Sequence, residues 1–249
     1  MRSSILALVL SLLGGAALAD IDEACRTADH LVHADFALPK VAAAIADKRL
    51  NVVVLGSGSS ALGGPTWASK AYPGRFEAAL VEKLPGVQVK VTTYAKPRQS
   101  AADMEKEIEK VLAADKPALV VWQTGTADAI GGIDPEEFRA SIDDGVDALH
   151  AGSADVVLMN MQYSPRTESM IALNAYADAM RFVALQRNVN LFDRFSIMKH
   201  WNELGTFDFY AATKKMDLAE RVHSCIGRML ARMVLEGTSL TASENKENH

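Results

Sequence analysis

The amino-acid sequence predicts an α/β domain of three layers, with a five-stranded parallel sheet between two sets of helices. Three observations carry that prediction. Five short apolar runs recur along the chain, each with the length and continuity of a strand buried on both faces. Helix-length amphipathic stretches separate them, and this alternation is the pattern of a parallel sheet with crossover helices. Glycine, serine and proline clusters punctuate the boundaries.

The elements follow in order. Residues 1–20, MRSSILALVLSLLGGAALAD, combine one basic residue (Arg2), an apolar run over 5–13 and the small residues Ala17 and Ala19. That is the pattern of a secretion signal, residues 1–19, cleaved after Ala19. The run is shorter than the roughly 20 residues a spanning helix needs, so no membrane anchor remains after cleavage. Cys25 lacks the Leu-x-Gly context of a lipid attachment site. Residues 20–48 read as a polar arm and a first helix. Strands are expected at 51–55, 87–93, 118–123, 155–160 and 189–192, and helices at 67–84, 101–114, 135–150, 166–186 and 216–236.

Asp134-Pro135-Glu136-Glu137 supplies a cap, a proline at the first helical position and acids at the positive end of the helix dipole. In the last helix Leu218, Val222, Cys225, Met229 and Met233 recur at three- and four-residue steps, so one face is apolar. Residues 237–249, GTSLTASENKENH, lack periodicity and are expected to be disordered. The domain proper is therefore 49–236, with no second-domain boundary.

A hydrophobic content of 49% and a charged content of 23% over 249 residues are those of a globular protein. Loss of Arg2 with the signal takes the formal charge from −5 to −6. Nucleic acid and anionic membranes call for a basic face, so neither is an expected partner. Export places the chain in the periplasm or outside the cell, where thiols oxidise. Cys25 and Cys225 are expected to form one disulfide between the arm and the last helix; two buried free thiols are the other reading.

In an open parallel sheet, ligands gather beyond the carboxyl ends of the strands. The first such loop follows NVVVLGSGSSALGGP, residues 51–65. Gly56, Gly58 and Ala61 fit a dinucleotide fingerprint, but Gly63-Gly64-Pro65 stands where the pyrophosphate needs a helix N-terminus, and the second strand ends without an acid for the ribose. No Lys-Ser or Lys-Thr pair completes a phosphate loop. His30 and His33, flanked by Asp29 and Asp35, lie in the arm away from the strand ends, and no metal or cofactor is expected. The charge run Lys106, Glu107, Glu109 and Lys110 reads as a solvated helix face.

The segments VVVLGSGSSALGG, YPGRFEAAL (72–80), VVWQTGTADAI (120–130), VVLMNMQYSPR (156–166) and LFDRFSIMKHW (191–201) together resemble an exported bacterial branch of the SGNH/GDSL hydrolases. The resemblance implies a flavodoxin-like SGNH-hydrolase fold, and it extends to a cysteine near the mature N-terminus and one in the final helix. The family's chemistry uses a serine nucleophile, a histidine base, an aspartate to orient it, and oxyanion donors from the serine amide, a glycine after the second strand and an asparagine after the third.

Gap-free alignment to those motifs puts Gly58 at the nucleophile position, Pro97 and Arg98 at the second-loop glycine, and Ala127 at the asparagine, with Asp128 retained beside it. Near the last helix Lys214 takes the place of the aspartate and Asp217 that of the histidine. Glycine offers no oxygen, proline no amide proton, and neither an ammonium nor a carboxylate there relays a proton at neutral pH. No catalytic residue is expected in this register. A shifted register offers Ser60 as nucleophile with Glu220 and His223 as acid and base, one turn inside the last helix. The bland reading of His223 is a hydrogen-bonded histidine at the rim of the core, and that of the serines is loop solvation.

Two functions follow. The first is a non-catalytic protein binding envelope carbohydrate or an acidic ligand through Ser57, Ser59, Arg98, Asp128, Lys214 and Asp217. The alternative is a weak serine esterase or deacetylase acting on an acyl ester of carbohydrate.

Overall fold

The computed structural model describes residues 25–62, 65–210 and 216–247. The expected signal, residues 1–19, and Lys214 lie outside these residues. Five strands form: β1 (Arg49–Gly56), β2 (Gln88–Ala95), β3 (Leu119–Gln123), β4 (Asp155–Met159) and β5 (Asn190–Phe192). All pair in parallel, in the order β2-β1-β3-β4-β5. The order reverses direction beside β1, so the loops after β1 and β3 flank the switch point at which open sheets bind ligands.

The helices are α1 (Pro39–Ala46), α2 (Tyr72–Lys83), α3 (Ala101–Glu105), α4 (Ile108–Asp115), α5 (Thr126–Gly131), α6 (Pro135–Ala151), α7 (Pro165–Glu168), α8 (Asn174–Gln186), α9 (Arg194–Glu203) and α10 (Met216–Glu247). α1 and α2 pack on α10; α3, α4 and α8 pack on α6. These are the two outer layers. Every residue of β3 and β4 is buried, as continuous apolar strands require.

The two sheet edges differ. β2 is half exposed, with Gln88, Lys90 and Thr93 facing water, so burial on both faces does not extend to it: as an edge strand it lacks a neighbour on one side. β5 is covered by the N-terminal arm. The Asn190 side chain accepts from Asp35 N–H at 2.8 Å and Phe36 N–H at 3.0 Å and donates to Phe36 O at 2.8 Å. Cys25, Val32, Ala34 and Leu38 join the same core as the sheet, so the arm is part of the domain. Cys25 and Cys225 are disulfide-bonded, with Cα atoms 5.3 Å apart.

Several boundaries depart from expectation for local reasons. The stretch 67–84 becomes helical only from Tyr72, because Pro73 is tolerated in a first turn and not further in. The stretch 101–114 divides into α3, opened by a Ser100/Asp103 capping box, and α4. The stretch 166–186 divides into α7 and α8. α9 is unforeseen; Asp193 caps it through Ser196 N–H, and Phe195, Ile197, Met198 and Trp201 bury its inner face. The expected disorder from residue 237 is corrected through Glu247, since α10 continues across Gly237. That glycine is a crossing point: Leu38 N–H donates to its carbonyl at 3.0 Å, and a Cβ there would lie 2.8 Å from Leu38 Cγ.

Candidate functional site

Register brings the first two loops together. Gly56 pairs with Ala95 at the ends of β1 and β2, and Lys96 N–H extends the ladder to Gly56 O at 3.2 Å. Past this point Gly58 opens a short 3-10 turn, Gly58–Ser60, facing Pro97. A Cβ built on Gly58 would sit 3.7–3.9 Å from Pro97 atoms, an ordinary contact. The position therefore has room for a side chain and carries none. Arg98, next along, is exposed and holds φ +64, a left-handed conformation natural to glycine and costly for arginine.

The three serines of the first loop turn inward. Gln123, the polar end of β3, is fully buried, and its Oε1 accepts from Ser57 N–H at 3.1 Å and from the hydroxyls of Ser57, Ser59 and Ser60 at 3.0, 3.1 and 3.0 Å. Ser60, 1% exposed, also shares a hydrogen bond with the Tyr72 hydroxyl at 2.9 Å. Gly56 makes space for it: a Cβ there would come 2.3 Å from Ser60 Oγ. Burial pushes the Tyr72 hydroxyl up to about 12, so it stays protonated. From the far side, Arg194 at the start of α9 donates through Nη1 to Ser59 Oγ at 3.3 Å.

His223 lies close by, 7% exposed, its ring stacked on Tyr72 with centroids 5.9 Å apart. Its Nδ1 accepts the backbone N–H of Tyr72 at 2.9 Å. An N–H only donates, so the lone pair of Nδ1 is spent and the neutral ring carries its proton on Nε2. Burial, with a smaller contribution from the Arg194 charge, pushes its pKa down to about 3. This histidine satisfies one of the orphan donors at the start of α2. Glu220 turns away, to Lys70 Nζ and Arg75 Nη2 at 2.7 Å each. Among the described residues no serine hydroxyl hydrogen-bonds a histidine nitrogen, so Ser60, Glu220 and His223 are not joined in a relay.

The third loop keeps its backbone. Gly125 sits at φ +100, where its missing Cβ clears Met161. Asp128 is buried: it accepts Ala101 N–H at 2.8 Å and the Thr124 hydroxyl at 3.4 Å, tying the loop to α3, and burial raises its pKa. Ala127, half-buried, presents a methyl. The rim assigned to Ser57, Ser59, Arg98, Asp128, Lys214 and Asp217 is corrected accordingly. Ser57 and Asp128 spend their polar atoms internally, Ser59 is half-buried on Gln123 and Arg194, and Arg98 and Asp217 remain exposed.

Residues 24–240 match the family model described as the Non-GDSL lipase-like family. The chain belongs to that family. No curated protein matches it. Solved structures with the same fold include TesA, 20% identical, with a TM-score of 0.60 over 74% of this chain and 99% of that one. A variant of Axe2, an acetyl xylan esterase from Geobacillus stearothermophilus, is 18% identical, with a TM-score of 0.59 over 76% and 94%. The acetyl xylan esterase AlAXEase is 14% identical, with a TM-score of 0.62 over 74% and 100%. The likeness to these structures is one of fold, which in this Non-GDSL lipase-like protein is built on a five-stranded parallel sheet.

Within this family frame, sequence reasoning passes over Gln123, Tyr72 and Arg194, which organise the site. Their signals are a glutamine closing an otherwise apolar strand and an arginine inside the apolar run LFDRFSIM.

Proposed function

We propose that this Non-GDSL lipase-like protein is an exported, non-catalytic member of its family that binds carbohydrate or an acidic ligand at the carboxyl edge of its sheet. One observation carries the reading: Gly58 stands where the attacking hydroxyl would, while the nearby imidazole, His223, has given its accepting lone pair to Tyr72 N–H. A serine placed there has no base to take its proton. Ala127 removes a side-chain oxyanion donor as well, a loss that costs on the order of 100- to 1,000-fold in rate where such donors act.

Arg98 supports the binding half of the proposal. It keeps a left-handed backbone at a position where glycine would be unstrained, and its guanidinium is exposed with no partner among the described residues. Strain kept at a cleft points to a use for the side chain. Structural neighbours that are acetyl xylan esterases make polysaccharide the first occupant to try. The N-terminal signal pattern and the Cys25–Cys225 bond are compatible with an oxidising compartment, the periplasm or beyond.

The test has two arms. Purified protein is expected to release no p-nitrophenol from short acyl esters above background and to form no fluorophosphonate adduct. Acidic oligosaccharide such as oligogalacturonate is expected to bind, and to bind at least about tenfold more weakly to Arg98→Gly, the loss of one charge-assisted contact. Ester hydrolysis abolished by Ser60→Ala but not by Ser57→Ala would establish the weak-esterase alternative instead.

A further inference from the structure

Arg194 is 1% exposed, the first residue of α9, and only its Nη1 has a partner. Nε and Nη2 are buried and have no acceptor. These two nitrogens share one edge of the guanidinium, the fork that takes two oxygens of a carboxylate, sulfate or phosphate side by side. The carboxylates of its chain neighbour Asp193 and of Glu220, one turn before His223, are committed to other partners. Asp193 accepts from Asn160, Ser196 and Arg181, and Glu220 holds Lys70 and Arg75.

The titratable groups beside Arg194 are Tyr72 and His223, and both are neutral at pH 7. Burial lowers the pKa of Arg194 itself only to about 10, so it stays charged. A buried ion without a counter-charge carries a large desolvation penalty, and the N-terminus of α9 adds positive potential at the same place. Gln123 Nε2, whose amide oxygen meets Arg194 through their shared partner Ser59, is a further buried donor without an acceptor.

We propose that Arg194, beneath the serine loop after β1, is an internal binding site for one small oxyanion, held bidentately by Nε and Nη2. The oxyanion supplies the counter-charge that the chain does not, and so ties α9 to the loop through Ser59. The site is separate from the exposed rim at Arg98, and it stands whether or not the cleft above binds carbohydrate.

Sodium formate and sodium sulfate, each compared with sodium chloride at equal ionic strength, are the probes. The wild-type melting temperature is expected to rise by roughly 3–5 °C per tenfold increase in oxyanion above its Kd. The rise should vanish in Arg194→Met and shrink in Arg194→Lys, which keeps the charge and loses the fork. Calorimetric titration of formate into the wild-type protein should saturate at one equivalent. An equal thermal response in wild type and Arg194→Met is general salt stabilisation and overturns the site; so does an equal response to chloride, or no saturable heat. If Arg194→Met does not fold, the wild-type titration against chloride decides.

Discussion

His223 illustrates how one side chain exchanges chemistry for architecture. Folding hands its Nδ1 to Tyr72 N–H and pushes its pKa from 6.5 to about 3. Below pH 6.5 the unfolded chain binds a proton that the folded chain refuses until about pH 3. Stability from this group is therefore complete above 6.5 and drains away as pH falls through that window. Asp155 runs the opposite way: burial raises its carboxyl to about 6, so its unfavourable ionisation is relieved as pH falls from about 6 towards 3.8. Comparison with a variant separates the two. At pH 7.5, His223→Leu should be less stable than wild type by about 1–2 kcal/mol, because the Tyr72 N–H loses its acceptor. At pH 5 the wild type should have lost about 2 kcal/mol that the variant keeps, closing the gap. Urea midpoints at both pH values check this, and an unchanged gap would mean that the imidazole does not titrate in that window.

At the level of elements, the strands are legible because their signal is internal: 119–122 and 156–159 are apolar at every position, and they lie in the fully buried strands β3 and β4. The ends of β1 and β2 are legible for the same reason, and their pairing brings Gly58 up to Pro97. What the sequence conceals is direction. Nothing in SGSS says that three hydroxyls fold onto Gln123, and nothing in TADA says that Asp128 is consumed by Ala101 N–H. These are tertiary choices made by partners 27 to 66 residues away. The end of α10 fails differently. Gly237 carries the local signature of a helix stop, yet the arm crosses the helix there and needs the absent Cβ. Gly237→Val should therefore cost about 1–3 kcal/mol despite the better helix propensity of valine, since its Cβ would press on Leu38 Cγ at 2.8 Å and on Phe36 O at 3.2 Å. Thermal melts of the variant measure the cost, and a stabilised variant would mean that the arm yields.

Across the whole molecule the arm and α10 close a circle around the sheet. The chain leaves Cys25, covers the β5 edge through Asn190, traverses all five strands and returns to Cys225, a sequence separation of 200. Such a cross-link acts chiefly on the unfolded chain, removing conformations it would otherwise explore; for a loop of this length the entropic model gives roughly 5 kcal/mol as a ceiling. The folded state does not lean on the bond in the same way, because Val32, Ala34 and Leu38 hold the arm in the core independently of it. The double variant Cys25→Ser/Cys225→Ser should therefore fold to the same circular-dichroism spectrum, while its free energy of unfolding falls by about 2–5 kcal/mol. Its urea m-value should rise, because an uncrosslinked chain exposes more surface when it unfolds. A midpoint and slope unchanged from the oxidised protein would show that residual contacts already confine the unfolded chain, and the constraint would then have to be sought in the native packing of α10 on α2.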